Sequence, residues 1–460
     1  MRNGFGLGVM ATIFLLANSA WSQSQAPTQD DTASTTDTQV QQGPKPAFTY
    51  PDTTPSLDFV SQAAENSSLT LGIGGGIGYY NNIYRVSNNN QSRVIYDLRP
   101  SIKIQQFRPK LAWTLSYAGG LQTYSQPSAV SSGGYHSLFS QDGSVDILWQ
   151  FANHWQLHAF DSFVYSANPF DSYITSQGTP TVNNPAPDTF FPLSRYTRNN
   201  ALLELTDQLT LHDTLDFSGT SYLRRTSSSD LVTVPFYNLV SYAGRASYNH
   251  KFSPQLTLGG AYNFNSLDFG HGTQRTGAQT IMLSAEYLIR PHIVLSGWIG
   301  PEYSSTKSIV EIPFFGLVFF QTVHTSMWST AGGLTLGWQG LRNSFRANFS
   351  RQVSDGGGIL ATTQTYQASA TFRRQLRPRW SAEVGLSYWD NASITIANRK
   401  FSYAVGSLSV SHEITRSLNA ILQYAYSKEK QENVFLGAPG YNQNRVQFTV
   451  EYNWHHPLGW

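Results

Sequence analysis

The histidines have the widest chemical range of any side chain in this sequence, but their spacing argues against a catalytic centre. Eleven histidines are dispersed along 460 residues. A catalytic base must reach its nucleophile, and no Gly-x-Ser-x-Gly turn presents a serine for one. His271, inside Phe269–Gly272, is the one histidine that we consider as the base of a rim hydrolase, although a plain loop residue fits it better. We therefore predict no catalytic residue and no enzyme.

Metal and nucleotide chemistry find equally little support. The chain has no cysteine, which excludes disulfides and thiolate metal sites. His455 and His456 are adjacent, and neighbouring side chains on an extended segment point in opposite directions. The glycine-rich run at 71–78 lacks the following helix that a nucleotide-binding loop needs. We predict no metal, no cofactor and, at a formal net charge of +2 without a basic cluster, no nucleic-acid partner.

The charged residues are scattered and balanced in sign. Six positive and seven negative side chains fall on the polar positions of segments that alternate polar with apolar residues. A lining of this kind screens passing solutes, or else it forms solvated pairs and internal staples, which we favour for most of its members. The thirteen are Asp97, Arg99, Lys103, Asp146, Glu204, Asp216, Arg224, Arg245, Glu286, Arg346, Arg373, Glu383 and Glu451.

The segments that position these charges read as β-strands with one apolar and one hydrated face. From Ser68 onward, runs of about ten to fifteen residues alternate with period two, which is the side-chain period of a strand. In the last run Phe448, Val450 and Tyr452 point one way, while Thr449 and Glu451 point the other. Counting the runs predicts 18 strands, within a range of 16 to 20. The alternation is blurred at 156–166, 292–306 and 401–414, where bulges or boundary errors would explain it.

The connections alternate between short and long, so the repeating unit is a hairpin. Four of the eight short connections carry Arg-Pro or Ser-Pro, and proline favours a tight turn. The short connections are 107–110, 152–155, 211–214, 252–255, 289–292, 339–343, 376–379 and 414–417. The long ones are 85–92, 125–137, 167–194, 227–236, 268–276, 307–322, 354–362, 391–400 and 429–442.

The run at 307–322 contains the most apolar stretch outside the N-terminus, Ile309 to Phe320. It is too short, and too broken by Pro313 and Gly316, for a transmembrane helix. An inward-folded constriction loop, an oligomer contact and two strand ends flanking a turn all fit this stretch. We favour the two strand ends.

The composition favours a membrane barrel over a soluble domain. Charged residues make up 13% of the chain, about half the usual share, and aromatics reach 14%. Mean hydropathy is nevertheless slightly negative, at -0.30, which argues against a helical membrane protein. A closed antiparallel transmembrane β-barrel combines these properties, with lipid outside, polar side chains inside, short periplasmic turns and long extracellular loops.

The N-terminus indicates export. Residues 1–22 contain a basic start, an apolar stretch and small residues before Gln23, which is the pattern of a cleaved signal peptide. Residues 23–66 are polar, proline-containing and low in complexity, so we predict a disordered periplasmic leader. The barrel is expected to occupy 67–460.

Five tryptophans lie within a few residues of a short turn or of the chain end. Their recurrence at equivalent strand positions indicates an aromatic girdle at a membrane interface. They are Trp149, Trp155, Trp338, Trp380 and Trp454.

The export signal, alternating strands, eight tight turns and aromatic-rich final strand together resemble Gram-negative outer-membrane β-barrels, especially porin-like barrels of unassigned substrate. Some relatives of that kind accompany exopolysaccharide export. The resemblance covers residues 68–460 and is architectural. It implies that the barrel-insertion machinery reads the C-terminal strand, through either Tyr452 and Trp454 or Trp460, because Pro457 interrupts the pattern after Trp454. The residues of that signal strand are Val446, Phe448, Val450, Tyr452, Trp454 and Trp460.

The leading functional expectation is passage or export of hydrophilic solutes, with saccharides among the candidates, through a water-filled lumen of the outer membrane. The alternatives are a surface adhesin or scaffold that displays loop 167–194, and a hydrolase at the rim. Expected partners are outer-membrane lipid, the insertion machinery and the solutes. Neither the solute nor the oligomeric state, monomer or trimer, follows from the sequence.

Overall fold

The computed structural model describes residues 67–82, 92–125, 137–166, 196–226, 238–270, 272–314, 317–356, 362–395, 399–432 and 440–458. The predicted signal peptide, the predicted leader, His271 and Trp460 lie outside these residues. No helix in the described part of the chain is long and apolar enough to span a membrane.

The described residues form 18 β-strands, which confirms the predicted number. In chain order they are β1 Ser68–Tyr80, β2 Arg93–Arg108, β3 Leu111–Tyr124, β4 Ser137–Trp149, β5 Trp155–Ser166, β6 Tyr196–Gln208, β7 Asp213–Thr226, β8 Leu239–Lys251, β9 Leu256–Phe269, β10 Gln274–Arg290, β11 Ile293–Phe314, β12 Leu317–Gln339, β13 Asn343–Ser354, β14 Thr363–Arg377, β15 Trp380–Ser393, β16 Lys400–Thr415, β17 Leu418–Glu432 and β18 Asn442–Pro457.

The sheet closes on itself as an antiparallel barrel. Each strand pairs with the next in sequence, and β1 also pairs with β18 from Ser68–Pro457 to Tyr80–Arg445. Closure gives the first and last strands a hydrogen-bonding partner on both sides, which removes the edges that an open sheet would expose. This is the predicted closed antiparallel barrel.

The two rims differ as the sequence predicts. All eight short connections lie at one rim, together with both ends of the barrel domain. Register shifts between Leu288 and Arg290, between Gln375 and Arg377, and between Glu413 and Thr415 also lie at this rim. One extra residue in a strand before a tight turn re-aims the chain. We call the part of the barrel next to this rim the short-turn half, and the opposite part the long-loop half.

Two predicted long loops are wrong. At 268–276 only residues 270–273 separate β9 from β10, and at 307–322 only 315–316 separate β11 from β12. Ile309 pairs with Thr322 and Phe314 with Leu317, so the described part of the apolar stretch consists of two paired strand ends, as the favoured interpretation expected. The irregular composition of these segments suggested loops, whereas the backbone ladder continues through them.

The final strand is also longer than expected. Rather than ending at Trp454, β18 continues through His455 and His456 to Pro457, which pairs with Ser68 at the end of the ladder. The amide of Leu458 then donates to the carbonyl oxygen of Ser67 at 2.8 Å. A proline is tolerated there because the strand ends at it.

Candidate pore lining and constriction

Around the seam where the barrel closes, the two faces of the wall separate by residue type. Ile77, Phe448 and Leu422 are register partners on consecutive strands, and all three are exposed. One position along, Gln447 is buried and bonds across two strands to Asp97, with Nε2 3.3 Å from Oδ1. Register partners in an antiparallel sheet share a face, so the apolar row faces outward and the polar row inward. Phe448 and Tyr452 therefore do not lie in a dry core.

The structure places all thirteen charged candidates on the inward face. One group spans the seam where the barrel closes. Arg99 on β2 contacts Asp97, with Nε 3.0 Å from Oδ2, and Gly74 on β1 pairs with both Arg99 and Glu451. Because Gly74 has no side chain, Arg99 and Glu451 approach each other across it. Lys103, further down β2, is exposed to the lumen.

A second group lies on β4 to β9 and includes histidine, which the sequence analysis did not single out. His158 lies between two carboxylates, with Nε2 3.1 Å from Oδ1 of Asp146 and Nδ1 3.5 Å from Oε2 of Glu204. The sequence carries no local signal for this site, because the register that pairs His158 with Glu204 joins two strands on either side of the long connection 167–194. Asp216 accepts hydrogen bonds from Thr206, at 2.9 Å, and from Asn249, at 3.0 Å.

The remaining members line β8, β10 and β13 to β15. Glu286 and Arg346 are half-buried on the inward face, and Arg373 is the register partner of Glu383 on the next strand. Arg245 faces inward on β8, level with Ser218 and Asn263. Charges of both signs therefore occur around the wall, and these thirteen residues form no like-charged ladder along the part of the barrel that the structure describes.

The interior of the long-loop half is not uniformly polar, which corrects the expectation of a hydrated inner face throughout. Tyr222, Leu239, Leu267 and Phe269 point inward from β7, β8 and β9 and form a buried cluster. Across the barrel, Trp389 and Tyr403 are fully buried, with ring centroids 5.8 Å apart. The inner face of this half is packed.

The inverted alternation at this level explains one blurred segment in the sequence. On β16, Phe401, Tyr403 and Val405 are the inward, buried residues, whereas Ser402 and Ala404 between them face outward. The apolar residues thus occupy the inward positions at the top of the strand and the outward positions, such as Leu408, further down. The inner face of β16 is apolar and packed near Phe401 but not further along the strand. This change, rather than a bulge, explains why the alternation is blurred at the start of 401–414.

Among the described residues, the wall ladder between β12 and β13 stops well short of the ends of both strands. Their ladder runs from Gln339–Ser344 only as far as Gly332–Arg351, although β12 continues to Leu317 and β13 to Ser354. Above this point β13 remains paired with β14, and β14 with β15, up to Ser354–Thr363 and Thr363–Ser393. The sheet therefore stays continuous from β13 onward but separates from β12.

The separated end of the sheet lies inside the barrel. Thr362, Thr363, Gln364 and Thr365 are all buried, so both faces of the strand are covered, whereas a wall strand has one outer face. We call residues 352–356 and 362–365 the inner flap. Gly356 within it has a φ of 57°, in the left-handed region that favours glycine.

Side chains from three other strands hold the inner flap. The Glu302 carboxylate on β11 accepts the Val353 amide, with 3.2 Å to each oxygen, and also accepts the Ser329 hydroxyl at 3.0 Å. Arg224 on β7 donates to Asp355 across the interior at 3.0 Å, and these side chains are 0% and 1% exposed. Thr362 Oγ1 lies 2.6 Å from Thr276 Oγ1 on β10.

The inner flap is the main feature that sequence reasoning missed. The predicted loop at 354–362 coincides with part of it, but the stretch within 307–322 was the segment considered as a constriction loop, and 167–194 was considered as a displayed loop. Residues 167–194 lie outside the described residues, and 307–314 and 317–322 form strand. Arg224 was expected among the inward charges, for most of which solvated pairs or internal staples were favoured, but its partner Asp355 lies 131 positions away in the chain and was not predicted. A local pattern carries no signal for such a pairing.

The five tryptophans lie at the short-turn rim on outward positions. Trp149, Trp338, Trp380 and Trp454 are exposed, and Trp155 is half-buried beside Phe151, with ring centroids 6.2 Å apart. In the predicted signal strand Val446, Phe448, Tyr452 and Trp454 are exposed on the same face as Val450. This placement suits a membrane-water boundary, although lipid contact itself remains a proposal.

Comparison with known proteins finds a similar shape at very low identity. No protein-family model matches the chain, and no curated protein matches it. Among solved structures, OccK8 (OprE) of Pseudomonas aeruginosa is 12% identical, with 85% of this chain and 99% of that chain covered and a TM-score of 0.41. The outer membrane protein OpdK of the same organism is 10% identical, with 84% and 99% covered and a TM-score of 0.39. The ferric-catecholate import receptor Fiu of Escherichia coli K12 is 9% identical, with 86% and 82% covered and a TM-score of 0.44.

Proposed function

We propose that this protein is an outer-membrane channel for hydrophilic solutes. The observation that carries the proposal is the sorting of side chains across the closed wall of the short-turn half, with mainly apolar residues outward and charged, hydroxyl and amide residues inward. A chain that crosses lipid must satisfy its backbone internally and present apolar side chains to the hydrocarbon, and a closed barrel does both. An 18-stranded barrel is also wide enough to hold an aqueous path.

The outer surface supports the membrane partner. Exposed apolar residues such as Ile73, Ile281, Ile299 and Leu386 lie on strands all around the barrel, and a soluble protein rarely exposes a continuous apolar surface of this kind. Below this surface lie the outward tryptophans of the short-turn rim. We therefore propose outer-membrane lipid as the surrounding medium and the barrel-insertion machinery as the reader of β18. Monomer and trimer both remain consistent with this surface.

The inner surface supports a hydrophilic solute of low net charge. The short-turn half carries both signs of charge, and hydroxyl and amide groups lie between them, for example Ser116 and Ser144, whose oxygens are 2.6 Å apart. A lining with six positive and seven negative candidates should not strongly prefer anions or cations. Neutral hydrogen-bonding solutes, saccharides among them, match these groups best.

The direct test is reconstitution of the purified barrel into planar lipid bilayers. A channel gives discrete conductance steps, and a salt gradient gives a small reversal potential because the lining is balanced. Swelling of liposomes in sugars of increasing size then measures the solute limit. A display scaffold would give neither steps nor swelling, and that result would refute the channel.

A matched pair of variants separates lumen effects from general damage. Lys103→Gln removes an exposed positive charge from the lumen and should shift the reversal potential towards cation preference. Lys430→Gln removes a positive charge at the long-loop end of β17, where Nζ contacts Glu432 at 2.5 Å on the exposed surface. The second variant should leave the reversal potential unchanged.

A further inference from the structure

The interruption between β12 and β13 leaves two unmatched strand ends close to each other. Between Leu317 and Ala331, β12 has β11 as its one strand partner among the described residues. Its other edge faces the place that β13 would occupy if the β12–β13 ladder continued beyond Gly332–Arg351. On the inner flap the amide of Val353 is satisfied by the Glu302 side chain instead of by a strand. Unpaired strand edges are templates for strand addition, so each end could pair with the other.

In the described contacts between the inner flap and the wall opposite, the wall contributes side chains and no backbone groups. Arg224–Asp355, Thr276–Thr362 and Glu302–Val353 each join the inner flap to a different strand of the wall. Each can break without any change in the wall ladders of β7, β10 and β11. The inner flap can therefore leave these partners, together with the end of β15 to which its ladder joins it, while the barrel stays closed below Gly332–Arg351.

We propose that the inner flap is a hinged gate with two seats. In the inner seat it is held across the lumen by the three contacts. In the wall seat it extends the ladder of Gly332–Arg351 in the same register, pairing Gln352 with Ala331, Val353 with Thr330 and Ser354 with Ser329. The wall seat clears the flap from the lumen, and its effect on solute flow rests on the proposed channel function.

The exchange between the seats conserves the hydrogen bonding of the backbone. In the wall seat the amide of Val353 changes from a carboxylate acceptor to the β12 backbone, and Glu302 keeps Ser329 and gains lumen water. Arg224 and Asp355 lose each other and become hydrated. The structure holds the inner seat, which we take as the resting state, and hydration of both charges limits the cost of separating the pair.

Cysteine pairs can trap either seat, because the native chain has no cysteine to interfere. Thr276→Cys with Thr362→Cys should lock the inner seat, since oxygens 2.6 Å apart place both Cβ atoms within disulfide reach. Thr330→Cys with Val353→Cys should lock the wall seat. Ser116→Cys with Ser144→Cys, whose oxygens are also 2.6 Å apart, links two neighbouring wall strands and serves as the control.

Disulfide formation is read by mass spectrometry of the folded, lipid-reconstituted protein, which needs no channel activity. Both seat pairs should form, and adding Arg224→Ala should speed the wall-seat pair and slow the inner-seat pair. If Thr330→Cys/Val353→Cys never links in either background while Thr276→Cys/Thr362→Cys does, the wall seat does not exist and the proposal fails.

Conductance then tests the gate. The inner-seat disulfide should lower single-channel conductance at least about twofold relative to the same protein after reduction, because the flap narrows the path. The wall-seat disulfide should raise it, and the control should change nothing.

Equal conductance in both locked forms overturns the gate and leaves the channel intact. Absence of conductance in every form, the control included, refutes the channel, while the trapping experiment still decides the two seats.

Discussion

The two halves of this barrel share one wall but have different interiors. In the short-turn half the inward positions hold charges, hydroxyls, amides and glycines, as at Lys103, Asp146 and Gly74. In the long-loop half the same face carries Leu239, Phe269 and Trp389, all fully buried, and the inner flap crosses it. The difference shows that period-two alternation specifies a wall, whereas what fills the wall depends on contacts between distant strands.

The largest difference between the halves should appear when a buried charge loses its partner. Arg224→Ala removes the charged partner of the buried Asp355, which should cost about 3–5 kcal/mol of unfolding free energy. Lys103→Ala in the open half should cost less than about 0.5 kcal/mol. Urea unfolding from lipid vesicles measures both variants.

The double variant Arg224→Ala/Asp355→Ala provides the control, because it removes both charges together. It should recover most of the stability that Arg224→Ala loses. If Arg224→Ala proves as mild as Lys103→Ala, the long-loop half is hydrated and the contrast between the halves disappears.

The next largest effect concerns the two faces of the wall within the short-turn half. Leu334 on β12 is 51% exposed on the outer face, and Thr335 beside it points inward. Leu334→Arg places a charge in the hydrocarbon and should lower the unfolding free energy by about 2–4 kcal/mol. Thr335→Arg should be nearly neutral because its side chain reaches lumen water.

The same unfolding assay in lipid vesicles compares these two variants. Equal losses would mean that the two faces of β12 meet the same solvent, which contradicts a membrane wall around an aqueous lumen.

A smaller effect should distinguish two carboxylates on neighbouring strands. Glu302→Ala removes the acceptor of the Val353 amide in the packed half and should cost about 1–3 kcal/mol of unfolding free energy. Glu286→Ala, on the inward face of β10 in the open half, should cost less than about 0.5 kcal/mol. Amide hydrogen exchange of Val353, followed by NMR in detergent, should also accelerate in Glu302→Ala and stay unchanged in Glu286→Ala.

The strand count and the turns could be predicted because they depend on local chemistry. Alternation at Val446–Trp454 reports which face meets lipid, and Arg-Pro or Ser-Pro reports a tight turn. The prediction failed at 307–322, where an irregular composition suggested a loop in a segment whose backbone ladder is continuous.

The candidate site was less predictable than the wall. The thirteen charges were assigned to the inner face because they fall on the polar positions of segments that alternate with period two. We call this even or odd placement along a strand parity, and it requires no knowledge of the strands opposite. The pairing of Arg224 with Asp355, and the carboxylate of Glu302 on a backbone amide, require the closed barrel to bring β7, β11 and β13 together. Parity gives the direction of a side chain but not the group that it meets across the lumen.

Thiol labelling at adjacent positions of one strand tests the central claim most directly. Leu422→Cys and Gln423→Cys would each be introduced into the cysteine-free chain, reconstituted in lipid vesicles and treated with a water-soluble, membrane-impermeant maleimide. A lipid-facing Leu422 and a lumen-facing Gln423 predict rapid labelling of Gln423→Cys and almost none of Leu422→Cys. Equal labelling of both, or labelling of Leu422→Cys alone, would contradict a hydrated lumen enclosed by an apolar wall.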